Sequence, residues 1–98
     1  MGIFSNFVDR SKAKYLINQV HIASMIEGRI RVIYNELKHD PSLQAQIEDE
    51  LSKVDEIESF TVNPTTGSVL IIYDAKRAAQ DKFLSEFLQL ASEKMQRQ

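Results

Sequence analysis

The strongest constraint in this sequence lies between Ser59 and Tyr73, where two β-patterned runs flank a cluster of turn formers. Phe60 and Val62 alternate with Ser59 and Thr61, Asn63-Pro64-Thr65-Thr66-Gly67 follows, and Ser68 to Tyr73 is a β-branched, apolar run. Alternation sends one set of side chains to a core and the other outward, while Asn, Pro and Gly supply the dihedral angles of a short connection. The stretch is a β-hairpin. A lone hairpin is marginal in water, so the rest of the chain must widen this sheet and cover one of its faces.

The candidates for both tasks are legible. Arg29-Ile30-Arg31-Val32-Ile33-Tyr34 alternates with period two, placing Ile30, Val32 and Tyr34 on one face and both arginines on the other. Before it, Gly28 permits a turn, and Gln19-Val20-His21-Ile22 alternates polar with apolar as a short strand, although Tyr15 to Ala23 as a whole fits neither helix nor strand cleanly. Asp40-Pro41 opens a helix, because Asp can cap the free amides and Pro costs nothing at the first helical position. Leu43, Ile47, Leu51 and Val54 then form one apolar stripe backed by Glu48, Asp49 and Glu50. From about Ala75 onward, Phe83, Leu84, Phe87, Leu88, Ala91 and Met95 describe a second amphipathic helix that frays near Gln96.

The element order is strand, strand, helix, strand, strand, helix. A right-handed split β-α-β unit satisfies it, with the second strand of the hairpin inserted between the Arg29 strand and that strand's parallel mate. The expected fold is α+β: a ferredoxin-like, antiparallel four-stranded sheet with two helices on one face, its last strand replaced by an N-terminal edge strand around Val20 to Ile22. This domain is expected to span residues 15–98. Residues 1–14 read as a separate amphipathic segment, in which Ile3, Phe4, Phe7 and Val8 share a helical face and Arg10, Lys12 and Lys14 follow as a basic cluster.

Composition removes several classes of function. The chain has no cysteine, hence no disulfide, thiolate metal site or thiol nucleophile. A net charge of −2 and a pI near 5.6 argue against general binding of nucleic acid, which needs a concentrated basic face. No run approaches the roughly 18 apolar residues of a bilayer span, and no apolar region leads to a small-residue cleavage site, so the cytoplasm is the expected compartment. Asn6 occupies the place where N-myristoylation needs Ser or Thr. No nucleophile and base, phosphate-cradling loop or paired-carboxylate cleft can be named, so no catalysis is expected.

If Val69, Ile71 and Tyr73 point inward, then Arg29, Arg31, Ile33, Leu70 and Ile72 share the outer face. An apolar patch rimmed by guanidinium groups suits an acidic protein partner. The same patch could instead be covered by the N-terminal segment or by a second copy in a homodimer. Ile3, Phe4, Phe7, Val8, Arg10, Lys12 and Lys14 have two functional readings, a foot on an anionic membrane surface or a peptide docking on a partner, beside the plainer one of a tail or a helix packed on its own domain.

Gly28-Arg29-Ile30-Arg31-Val32, the Asp40-Pro41 helix start, Asn63-Pro64-Thr65-Thr66-Gly67-Ser68-Val69-Leu70 and Tyr73-Asp74 together resemble the cysteine-free branch of the heavy-metal-associated domains, over roughly Val20 to Leu90. In that branch a Gly-Arg-Ile/Leu-Arg strand stands near where the parent domain carries its Cys-x-x-Cys loop; here Glu27 departs from the usual Pro before the Gly. The resemblance implies an accessory protein of metal-cation transport or storage, with iron the expected cation, no resident cofactor, and a P-type metal-transporting ATPase as partner in trans. A metal carrier would have to use imidazole and carboxylate, and His21 with Glu27 across the expected turn is the pair for it, ahead of His39 beside Asp40. A third reading is a structural dimerising module with no connection to metal.

Overall fold

The computed structural model describes the backbone from Asp9 to Arg97 and side chains from Ala13 onward. In chain order the elements are α1 (Asp9–Gln19), β1 (His21–Ile26), β2 (Arg29–Ile33), a 3-10 turn (Asn35–Lys38), α2 (Pro41–Ser52), β3 (Ile57–Asn63), β4 (Ser68–Tyr73), a second 3-10 turn (Ala78–Gln80) and α3 (Lys82–Arg97). The sheet order is β1-β2-β4-β3 and every neighbouring pair is antiparallel, so β2 and β3 run the same way with β4 between them. This is the split β-α-β unit expected from the sequence, and β1, turned back through Glu27 and Gly28, is the added N-terminal edge strand.

The alternation holds residue by residue. Ile30, Val32, Val62, Val69, Ile71 and Tyr73 are buried in one core with Leu43, Ile47 and Leu51 of α2 and Leu84, Phe87 and Ala91 of α3. Asp40 caps α2 as expected, its carboxylate accepting from the Ser42 amide at 3.0 Å. The second long helix begins later than its composition suggests, at Lys82 rather than near Ala75. Asp74 first accepts the Lys76 amide in a local turn, and Asp81 then caps α3 by accepting the Leu84 amide at 2.8 Å. Two aspartates competing for backbone amides set that boundary, where the alanines between them suggest helix.

One helix is additional to the two expected. Ala13, Leu16, Ile17 and Val20 recur at helical spacing and are all buried, and α1 packs along α3 on the core side of the sheet. The helix continues through the Lys14–Tyr15 position at which the sequence suggests a division, and Ala13, on the N-terminal side of it, is fully buried. At its other end Lys94 of α3 donates from Nζ to the carbonyls of Ile17, at 2.6 Å, and Val20. All three helices therefore cover one face of the sheet.

Beyond β2, Tyr34 is buried, its amide donating to the Gly67 carbonyl at 2.7 Å. Burial first, then the charges of Tyr15, Glu36 and Asp40, raise its hydroxyl above the ordinary tyrosine value of 10.0. The fold thus favours the neutral phenol, a contribution fully present below the unfolded value and lost as pH rises through the folded one. Unfolding free energy should fall as pH climbs past about 10, and Tyr34→Phe should flatten that decline. Urea titrations of both proteins across this range check it; parallel declines would rule Tyr34 out as the cause.

Candidate functional site

The face of the sheet opposite the helices is built by the strand registers. Ile26, Arg29, Ile72 and Ser59 form one row across the four strands, and Ser24, Arg31, Leu70 and Thr61 form the next. His21, Ile33, Ser68 and Asn63 form a third. The five residues expected to make a docking surface are thus on one face. Arg29 and Arg31 are exposed, whereas Ile33, Leu70 and Ile72 are half-buried by their neighbours. Sequence reading omitted Ile26, which is 63% exposed and continues the patch onto the edge strand. The turn is confined to Glu27 and Gly28, so Ile26 stays in β1.

The electrostatics of this face differ from those of the whole chain. No carboxylate occupies any of its paired positions, although acidic residues outnumber basic ones in the sequence. Among the described residues neither Arg29 nor Arg31 has a carboxylate within ion-pair distance, in contrast to Arg77 beside Glu56 at 3.5 Å and Lys53 beside Asp49 at 3.0 Å. The Lys53 ammonium is held above its usual value first by its hydrogen bond to Asp49 and then by Glu50. The acidic outer side of α2 thus engages its own lysine, while the two arginines of the bare face keep their hydrogen-bonding capacity for another molecule.

His21 and Glu27 are not brought together. β1 is extended between them, so the two lie on the order of 20 Å apart along the strand, and the bend that would have joined them falls only after Ile26. His21 is exposed at the end of the bare face, opposite Ile33. Among the described residues no three His, Asp or Glu side chains gather where they could hold a metal ion. His39 is exposed and its neighbour Asp40 is committed to capping α2.

Of the N-terminal docking candidates, Ile3, Phe4, Phe7 and Val8 lie outside the described residues. Arg10 and Lys12 contribute backbone to α1, and Lys14 is exposed on it. No described helix is long and apolar enough to cross a membrane. A cleft of about 210 Å³ between the helices and the sheet is lined by Leu16, Tyr34, Ile47, Phe83 and Phe87, with Glu50, Lys53 and Asp81 also in its wall. Those three polar groups are already engaged, Lys53 with Glu50 and Asp81 with the Leu84 amide.

The model of a protein family described as heavy metal associated domain 2 matches residues 7–95. No curated protein and no solved structure matches the chain.

Proposed function

We propose, from the premise that this chain belongs to the heavy metal associated domain 2 family, that it is a non-enzymatic accessory protein of metal-cation handling, with iron as the cargo concerned. It acts by protein contact through the bare face of its sheet. Family membership supports the metal connection. The contact surface is supported by one observation above the others: two exposed arginines, neither with a carboxylate in ion-pair distance among the described residues, stand in the middle of a partly apolar face that no described helix covers. Such a face recognises carboxylates through bidentate guanidinium hydrogen bonds, while its isoleucines and leucine exclude water around them. A P-type metal-transporting ATPase is the partner class this reading favours.

The separation of His21 from Glu27 supports contact over carriage, since a borderline cation needs several converging ligands. Anaerobic titration with Fe²⁺ and Zn²⁺ is expected to give no site tighter than about micromolar, a threshold at which binding free energy is roughly 8 kcal/mol. In cells, the Arg29→Glu/Arg31→Glu double variant should reproduce the metal-handling defect of a deletion strain while accumulating to normal levels. A stoichiometric site lost on His21→Ala, or a double variant that handles metal normally, would overturn the proposal.

A further inference from the structure

We infer that the occupant of the bare face is an amphipathic α-helix of a partner protein, with acidic residues along one flank of its apolar stripe. This rests on the reading of that face as a protein-contact surface and specifies what it takes.

The backbone of β2 is hydrogen-bonded on both sides, to β1 and β4, and that of β4 to β2 and β3. The middle of the face therefore offers side chains and no free main-chain groups. A segment lying there must satisfy its own amides and carbonyls, and a helix does so within itself. The opposite face of the same sheet is already covered in this manner by α2 and α3.

Position by position, the face divides lengthwise. Leu70 and Ile72 of β4 form an apolar strip, Arg29 and Arg31 of β2 stand along one side of it, and Ser59 and Thr61 of β3 along the other. Same-face neighbours on a strand are spaced roughly 7 Å apart. Helix residues at i and i+4 are about 6 Å apart, so two carboxylates at that spacing can each meet one guanidinium while the stripe between helix and sheet is apolar. The hydroxyl side can accept a neutral polar flank. A second copy applied face to face is disfavoured, because no paired position of this face supplies a carboxylate to meet the other copy's arginines.

The test uses the full chain with photoreactive benzoylphenylalanine at position 70, irradiated in cells of its source, and the same residue at position 49 on exposed α2 as control. The expected adduct joins position 70 to a segment bearing carboxylates at i and i+4 beside an apolar stripe. That segment, synthesised as a peptide, should bind the wild-type protein. Arg29→Glu/Arg31→Glu should weaken binding at least tenfold, as should a proline at the peptide's centre. Adducts no more abundant at position 70 than at 49 would overturn both the contact surface and this inference. An adduct whose peptide tolerates the proline, or lacks carboxylates, would overturn the helical acidic partner and leave the contact surface standing. An adduct to a second copy of the chain would overturn the partner assigned here.

Discussion

Gly67→Ala should destabilise the protein by about 3 kcal/mol, the sum of a left-handed backbone cost of roughly 1–2 kcal/mol and one or two disrupted hydrogen bonds of about 1 kcal/mol each. Gly67 has φ +79°, and a Cβ added there would lie 2.9 Å from the Tyr34 carbonyl oxygen. That oxygen cannot move freely. It accepts from the Leu37 amide at 3.1 Å, while the Tyr34 amide donates to the Gly67 carbonyl. Relieving the clash therefore disturbs the turn after β2 together with the β3-β4 turn. Gly28 is the internal control: its φ is +85°, but an added Cβ would meet its nearest neighbour, the Tyr73 carbonyl oxygen, at 3.4 Å. Gly28→Ala should cost only about 1 kcal/mol, the conformational part. Urea denaturation of both variants compares them, and equal losses would show that crowding at Tyr34 is unimportant.

Lys94→Met should cost about 3 kcal/mol, since hydrogen bonds to a charged donor contribute about 1.5–3 kcal/mol and two carbonyls lose theirs. In a domain of this size that corresponds to a fall in melting temperature of roughly 10–20 °C. Methionine keeps an unbranched stem of similar length, so the loss isolates the ammonium group. The carbonyls concerned, of Ile17 and Val20, lie at the C-terminal end of α1, where no following helical amide is available and a cation is favoured. Hydrogen exchange should report faster opening of α1 than of β2 and β4. A variant within about 0.5 kcal/mol of wild type would mean that water replaces the ammonium, an outcome possible only if these carbonyls reach solvent.

The sheet was legible because its signals are local. In β4 a period of two decides which of Val69, Leu70, Ile71, Ile72 and Tyr73 face the core, and the registers follow that division. The cap at Asp40 and the Asn63 turn, in which the Asn63 side chain accepts the Thr65 amide at 2.9 Å, are likewise read within a few residues. The first helix was harder to see. Ala13, Leu16, Ile17 and Val20 have the spacing of a buried helical stripe, but the period changes to that of a strand at His21. A window from Tyr15 to Ala23 mixes the two and omits Ala13.

The candidate face illustrates the same division between local and distant information. Which side Arg29 and Arg31 take is a property of β2 alone, so it could be read from the sequence. That no carboxylate is paired beside them depends on what β1, β3 and β4 bring into register, which only pairing decides. The separation of His21 from Glu27 has the converse reason. Six positions apart in sequence suggests proximity if the chain bends and the length of a strand if it does not, and here Met25 and Ile26 remain in β1. Lys94 could not have been singled out, because its acceptors lie more than 70 positions earlier.

That last separation bears on how the protein is made. A ribosome delivers Ile17 and Val20 long before the residue that closes their carbonyls, and α1 lines its core side against a helix synthesised after all four strands. The hairpins can form as they emerge, since their partners are adjacent, but α1 must wait with Leu16 and Ile17 unburied until α3 has left the exit tunnel. Within this domain α1 is therefore the element left longest within reach of chaperones and proteases.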